Sequence, residues 1–492
     1  MTCAEYLKVI DDCIAQGPYS DSWPSLCTHK TPDWYCRGKL GIFVHWGIYS
    51  VPAFGNEWYS RNMYNAGRRE FQHHREVWGD QKTFGYKDFI PLFTGEHFDP
   101  EAWAELFRQA GANYVVPVAE HHDGFAMYDT AFNRWNSVNM GPQTDVMGRL
   151  KAACESRGLQ FCASTHRAEH YYFMNLGRTF DSDVNDEAYG DFYGPAVYRE
   201  DLNAENMSPT TETPSTPGPS EEWLTDWMVR TCEFIDRYQP KLIYFDWWIQ
   251  NFAFKPYLKK IAAYYYNRAE QWGQEVTMNY KREAFPPGVA TFDVERGALT
   301  GISPVPWQTC TAISKNSWGY TTDNAFKSSR QIICDLIDIV SKNGRMLLNV
   351  GPRADGTITE EETAVLEDLG RWLKINGEAI YDTVPWKWFG EGSVNAEEGF
   401  FMDGDEKSFT PEDFRFTYRG GKLYAIQLRP DGKDVCIRTL AEKGMYDFGI
   451  DTVSILGCAE TVCFSREKDG LHIQLPENTQ TDFPLTFKIQ LK

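Results

Sequence analysis

The chain has 492 residues, of which 42% are hydrophobic and 24% charged, as in folded globular proteins, and this length predicts two or three domains. Asp and Glu outnumber Lys and Arg by 69 to 49, so the net charge is −20 and neither nucleic acid nor an anionic membrane is an expected partner. The sequence has neither a run of 18 apolar residues nor the basic leader and apolar core of a signal peptide, so we expect a cytoplasmic protein unless a leader has been removed.

Eight short, almost continuously apolar segments recur through the first four fifths of the chain and predict β-strands. Strands of this kind are buried on both faces, as in a parallel sheet covered by helices. The segments lie at residues 40–47, 114–122, 159–166, 241–248, 275–281, 290–295, 307–314 and 345–351.

Segments with helical periodicity separate most of these strands, although the fifth and sixth strands are too close together for a helix between them. The alternation predicts an α/β fold, with a (β/α)8-like catalytic barrel over residues 1–385. Residues 206–222 are rich in Pro, Ser and Thr and are expected to form a surface insertion. The predicted helices lie at residues 99–111, 144–158, 220–238, 255–272, 324–344 and 359–377.

From about residue 386 the apolar pattern changes to a period of two, which is typical of antiparallel strands. Residues 414–428 contain a Gly-Gly turn and residues 462–475 an Asp-Gly turn, and both stretches predict β-hairpins. We therefore expect a small antiparallel β-sandwich domain over residues 386–492.

Polar residues follow the predicted barrel strands at their C-terminal ends, where parallel barrels carry their active sites. Two carboxylates and several imidazoles are therefore expected to converge on one mouth of the barrel. In chain order these residues are His45, His121, His122, His166, Asp246 and Glu295.

Asp246 is the strongest single candidate because its carboxylate lies within LIYFDWW, a run of apolar and aromatic residues. Burying an unpaired charge is costly, so Asp246 is expected either to serve a function or to pair with a Lys or Arg of a neighbouring strand. Glu295, in FDVERGA, is a second candidate, with a solvated Glu-Arg pair as the alternative interpretation. Two carboxylates beside an anomeric carbon catalyse glycoside hydrolysis, and the 17 tryptophans suit a sugar substrate.

A metal-dependent amidohydrolase is an alternative reading of a barrel rich in histidine. Such enzymes usually carry His-x-His on the first strand, whereas His45 here is followed by Trp46 and Gly47. His121 and His122 would point to opposite sides of a continuing strand, and the pair His73–His74 is expected on the solvated surface. The sequence also has no phosphate loop and no GxGxxG after a predicted strand, so we expect neither a metal nor an organic cofactor.

Several motifs resemble those of family 29 glycoside hydrolases, the α-L-fucosidases. The resemblance covers roughly residues 35–380 in collinear order, and the family's barrel followed by a β-sandwich agrees with the predicted division of the chain. The motifs are GIFVHWGIYSVPAFGNEWY (41–59), EHFDPEAWAELFRQAGANYVVPVAEHHDGFAMYDT (96–130), LIYFDWW (242–248), NSWGY (316–320) and LLNVGPRADGTI (347–358).

The resemblance implies a retaining exo-α-L-fucosidase that removes terminal fucose from fucosylated glycans. It implies that Asp246 is the nucleophile and that Glu295 is the acid/base. Should another residue be the acid, Glu57 and Glu283 are the next candidates. Trp318 is expected to pack on the C5 methyl group of the sugar, and the fucose hydroxyls are expected to contact His45, Glu57, Trp58, His121, His122, His166 and Lys281.

The sequence departs from the family pattern in three places. Lys281 lies where many relatives have Arg, Gln308 lies where they have Glu, and residues 164–172 replace a Tyr-Ser segment. The absence of a leader further suggests a bacterial enzyme. A fucose-binding barrel without turnover is the main alternative function, and the sequence leaves linkage preference and oligomeric state open.

Overall fold

The computed structural model describes residues 2–198, 218–404, 406–444, 448–477, 479 and 483–492. Most of the insertion predicted at residues 206–222 lies outside these ranges.

The strands of the first 350 residues form one parallel sheet in the order β7-β6-β5-β4-β2-β1-β9-β8, with β3 also paired to β2. Because β3 and β4 follow one another along a single predicted segment, all eight predicted strands are confirmed within the described ranges. The strands are β1 (Leu40–Val44), β2 (Tyr114–Glu120), β3 (Gln160–Phe161), β4 (Ala163–Thr165), β5 (Leu242–Phe245), β6 (Thr277–Tyr280), β7 (Thr291–Phe292), β8 (Trp307–Ala312) and β9 (Gly344–Val350).

The two edges of this sheet meet and close it into the predicted (β/α)8-like barrel. A parallel bridge joins Asp293, just after β7, to Gln308 on β8, and the Val294 N–H donates to the Gln308 carbonyl at 2.9 Å. The strands are buried along almost their whole length, which explains their continuous apolar character.

The six predicted helices are confirmed as α6, α7 and α10 to α13, and the structure has no helix between β6 and β7, where every residue is described. Among the described helices, none has the length and apolar character that crossing a membrane requires. The helices are α1 (Cys3–Gln16), α2 (Trp23–Leu26), α3 (Asp33–Arg37), α4 (Tyr59–Asn62), α5 (Arg69–Val77), α6 (Pro100–Gln109), α7 (Val146–Ser156), α8 (His170–Phe173), α9 (Gly190–Tyr193), α10 (Glu221–Tyr238), α11 (Lys255–Trp272), α12 (Ser329–Ser341) and α13 (Glu360–Asn376).

The C-terminal part contains two antiparallel sheets, in the orders β10-β11-β12-β17-β14 and β13-β16-β15, that share one apolar core. Both predicted hairpins are confirmed, as β11–β12 and β15–β16. The predicted boundary at 385/386 falls inside β10 and stays a prediction. The strands are β10 (Val384–Glu391), β11 (Phe414–Arg419), β12 (Lys422–Gln427), β13 (Val435–Ile437), β14 (Ile450–Ile455), β15 (Cys463–Arg466), β16 (Leu471–Gln474) and β17 (Leu485–Leu491).

A buried ionic cluster joins the C-terminal sheets to the barrel. Arg415 on β11 donates through Nε to Asp338 Oδ1 on α12 at 2.5 Å, and Lys342 Nζ lies 2.8 Å from Asp338 Oδ2. Beside this cluster, Tyr424 and Ile426 of β12 belong to the main apolar cluster of the barrel. The two parts therefore share both charge pairs and an apolar core.

Candidate active site

The C-terminal ends of the barrel strands surround a cavity of about 230 Å³. The structure brings all ten predicted site residues together on its wall. They are His45, Glu57, Trp58, His121, His122, His166, Asp246, Lys281, Glu295 and Trp318.

Asp246 follows β5 directly, is buried and contacts three basic side chains. Its Oδ1 lies 2.5 Å from Lys281 Nζ, and its Oδ2 lies 3.0 Å from His166 Nδ1 and 3.5 Å from His122 Nε2. Burial by itself would raise the pKa of Asp246, but the Lys281 ammonium and His166 outweigh it and hold that pKa well below its ordinary value. The residue is thus an ionised carboxylate that is paired with Lys281, as one of the two alternatives expected, and it still lines the cavity, while its function stays a prediction.

Lys281 links the two candidate catalytic carboxylates. Its Nζ lies 2.5 Å from Asp246 Oδ1 and 2.5 Å from Glu295 Oε2, so these two oxygens are at most about 5.0 Å apart. Burial opposes the charge on Lys281, but the two carboxylates prevail and raise the pKa of Lys281 well above its usual value. This upper bound lies below the roughly 6.5 to 9.5 Å that separates the carboxyls of inverting glycosidases and is compatible with the roughly 5 to 5.5 Å of retaining ones.

His45, His121 and His122 are buried imidazoles whose pKa values burial lowers, to about 3 for His122. Since β2 ends at Glu120, strand alternation does not separate His121 from His122, and their ring centroids lie 4.2 Å apart. His45 Nδ1 is hydrogen-bonded to Asn349 Oδ1 at 2.6 Å, and His121 Nδ1 has no partner among the described residues. Neutral imidazoles with a free ring nitrogen, such as His121, can donate to or accept from sugar hydroxyls.

Glu57, Trp58 and Trp318 form the part of the wall that comes from loops. Glu57 Oε2 accepts from the Trp318 N–H at 2.9 Å and from Ser317 Oγ at 3.0 Å, while burial raises the pKa of Glu57. The Trp318 ring packs 5.2 Å from the His45 ring, and the Arg296 guanidinium lies 4.7 Å above it. Trp318 is therefore a fixed apolar surface beside the imidazoles.

Sequence reasoning missed Trp247 and, behind the wall, Glu169, as well as the wall residues Phe43, Asn56, Tyr244 and Phe401. Trp247 Nε1 donates to Glu295 Oε2, and its ring lies on the cavity wall. Glu169 is buried, with Oε2 3.2 Å from His122 Nδ1, and burial together with the charge of Asp246 raises its pKa well above the ordinary value. The available signals were the position of Trp247 next to Asp246 and an acidic residue inside the unusual segment 164–172.

Three other residues that the sequence analysis raised lie outside the cavity wall. Glu283 is exposed, which leaves Glu295 as the better placed acid. Gln308 lies in the barrel interior, where it donates to Asp293 Oδ1 at 2.8 Å, so this departure from the family pattern concerns barrel packing. The prediction of a solvated His73–His74 pair is wrong for His74, which α5 turns inward to contact the Phe84 carbonyl at 2.8 Å.

Two histidine groups on the wall are compact enough to hold a metal ion, His45–His121–His166 and His122–His166–Asp246. Both nitrogens of His166 already have protein partners, Asp246 Oδ2 and Ser164 Oγ, each at 3.0 Å. In addition, the Lys281 ammonium already neutralises Asp246. The chemistry of these donors suits hydrogen bonding better than metal binding, and a metal-free site stays a prediction.

Comparison with known proteins finds relatives in sequence and in structure that match most of the chain. The sequence profile described as "Alpha-L-fucosidase" matches residues 8–378. The human tissue alpha-L-fucosidase is 30% identical over 97% of this chain and 92% of its own. The crystal structure of Thermotoga maritima alpha-fucosidase is 29% identical with a TM-score of 0.74, covering 96% of this chain and all of that one, and its complex with fucose is 28% identical with a TM-score of 0.73 at the same coverage.

Proposed function

The chain belongs to the alpha-L-fucosidase family, and from that premise we propose that it releases terminal L-fucose from fucosylated glycans with retention of configuration, using Asp246 as nucleophile and Glu295 as acid/base. The observation that carries the proposal is the pair of carboxylates, at most about 5.0 Å apart, that Lys281 bridges on the wall of one small cavity. This spacing leaves no room for a water molecule to attack directly.

In the first half of the reaction, the ionised Asp246 attacks the anomeric carbon and Glu295 gives its proton to the leaving oxygen. The Lys281 ammonium keeps Asp246 in the ionised form that the attack requires. The glycosidic C–O bond breaks as the ester bond to Asp246 forms.

In the second half, Glu295 acts as a base and takes a proton from a water molecule that attacks the fucosyl ester. Asp246 has lost its charge in the ester while Glu295 has given up its proton, so the carboxylate that Lys281 faces is now Glu295 instead of Asp246. Hydrolysis restores the Asp246 carboxylate and leaves the proton on Glu295 for the next cycle.

The volume and the lining residues of the cavity support the removal of single terminal sugars. Its volume of about 230 Å³ lies below the roughly 300 to 1,000 Å³ of pockets that hold larger ligands. Neutral imidazoles at His45, His121 and His122 suit hydroxyl groups, and the Trp318 ring suits the C5 methyl, whose contact is worth about 1 to 3 kcal/mol.

We expect the enzyme to release α-L-fucose as the first product from an aryl α-L-fucoside, which proton NMR during the first turnovers detects. Initial formation of β-L-fucose would contradict retention, and a protein that binds fucose without turnover would match the silent-barrel alternative.

Full activity after treatment with a chelator is expected, because the proposed steps use no metal. Loss of activity would favour the amidohydrolase alternative.

Replacing Lys281 with Met is expected to move the acid limb of the pH profile of kcat/KM upward by at least about one unit. Without the ammonium, burial acts on Asp246 with less opposition, so its pKa rises and the reactive carboxylate becomes protonated at a higher pH. Lys281→Arg keeps the positive charge and is the matched control. An acid limb at the same pH in Lys281→Met and in the wild type would contradict the assignment of Asp246 as the ionised nucleophile.

A further inference from the structure

We propose that Phe401, paired with Trp247, forms an aromatic platform that binds the sugar from which fucose is cleaved. This inference rests on the proposed function and adds to it a residue that selects the leaving group. The platform would lie on the leaving-group side of Glu295, at the mouth of the cavity that holds fucose itself.

Phe401 is a large apolar residue that the fold leaves open to solvent. Its side chain lines the cavity, yet 57% of the residue surface is exposed. Its ring lies nearly parallel to that of Trp247, with an angle of 11° and 6.3 Å between centroids. Because Trp247 Nε1 also donates to Glu295 Oε2, this aromatic surface adjoins the group that would protonate the departing oxygen.

The backbone at Phe401 is held beside the proposed acid/base. Its N–H donates to the Glu295 carbonyl at 2.9 Å, and the next residue, Met402, donates to the Arg296 carbonyl at 2.6 Å. Phe401 also has a φ of 60°, a left-handed conformation that bulky residues seldom adopt. Strain of this kind persists where the surroundings impose it, and it is concentrated at binding sites.

Neighbouring contacts anchor the segment from both sides. Asp403 Oδ2 accepts from Lys327 Nζ and from Thr311 Oγ1, each at 2.5 Å, and thereby ties the segment to the end of β8. On the other side, the Arg282 guanidinium lies 4.8 Å from the Trp247 ring centroid and 5.3 Å from that of Phe400. Phe400 thus packs toward the barrel while Phe401 is presented outward at a fixed position.

An exposed aromatic ring fixed at a cavity mouth suits the apolar C–H face of a pyranose. A sugar joined to fucose through the scissile oxygen must leave past Glu295, where Phe401 and Trp247 lie. The chemistry therefore points to a neutral pyranose as the leaving group, which the platform orients for protonation.

The test compares two substrates that differ only in the leaving group, α-L-fucosyl fluoride and an α-L-fucosyl-galactose disaccharide. Fluoride is too small to reach the platform and departs without needing a proton. Phe401→Ala is expected to lower kcat/KM for the disaccharide on the order of 10-fold while leaving fluoride hydrolysis unchanged. Phe401→Tyr keeps the ring and should retain disaccharide activity, and Met402→Ala, at an exposed neighbour off the cavity wall, is the matched control.

A second readout is transfer of fucose from the fluoride to added galactose. Phe401→Ala is expected to lower the ratio of transfer to hydrolysis, since the acceptor would use the same platform. An equal loss on both substrates would overturn the proposal, because it would indicate displacement of Glu295, and so would undiminished disaccharide activity. Failure of the wild-type enzyme to hydrolyse the fluoride would instead contradict the proposed function.

Discussion

Replacing Asp246 with Ala is expected to reduce turnover on the order of 10⁴- to 10⁶-fold, as for other essential nucleophiles, while fucose still binds. The variant loses the atom that forms the covalent bond, but the imidazoles and Trp318 that line the cavity remain. Steady-state assays on an aryl fucoside give the loss of turnover, and isothermal titration with fucose shows whether the cavity is intact.

Azide provides the control for this substitution. If Asp246 is the nucleophile, azide should restore activity in Asp246→Ala by entering from the same side, and the product should be β-L-fucosyl azide. Near-normal turnover without azide would contradict the assignment, and loss of fucose binding would mean that the residue mainly maintains the cavity. Asp246→Asn keeps the shape of the side chain and should be equally inactive.

For Glu295→Ala, we expect a loss of about 10²- to 10⁴-fold on glycans, the usual contribution of a general acid. The loss should be smallest in the first step with fluoride, which leaves without a proton. Azide should rescue this variant through the fucosyl ester on Asp246, so the product should be α-L-fucosyl azide, with the opposite configuration to that from Asp246→Ala.

Glu283→Ala is the matched control for Glu295→Ala. Glu283 is an exposed glutamate 12 positions earlier in the chain and lies off the cavity wall, so its loss should leave activity unchanged. The same proportional loss on every leaving group in Glu295→Ala would point to another acid. Glu57 would then be tested next, because it is the other predicted glutamate on the wall.

The barrel could be predicted because its strands are buried on both faces, so segments such as 114–122 read as continuous apolar runs. α1 gave a weaker signal, since only one face of this surface helix is buried, with Tyr6 and Ile10. The predicted cytoplasmic location depends on where the chain begins and stays a prediction.

The site residues could be placed on one cavity because their strand ends must converge, and family motifs supplied the loop residues Glu57, Trp58 and Trp318. The contacts between these side chains, and the residues that reach the cavity from distant loops, could not be predicted. That Lys281 contacts both carboxylates depends on the distance between β5 and β7, and that Phe401 reaches the cavity depends on a long excursion between β10 and β11. Interactions of this kind are set by three-dimensional packing rather than by local sequence pattern.

The ionic cluster of Arg415, Asp338 and Lys342 makes the two halves of the molecule interdependent. Removing the C-terminal sheets would strip Asp338 of its guanidinium partner and expose the barrel surface that Ile426 covers. Asp338 would keep Lys342 at 2.8 Å, but each buried apolar side chain that becomes exposed costs roughly 1.5 to 3 kcal/mol, a large fraction of the 5 to 15 kcal/mol by which a typical protein resists denaturation. The barrel is therefore not expected to be stable without the C-terminal sheets. Its stability depends on residues that lie far from the active site in the sequence.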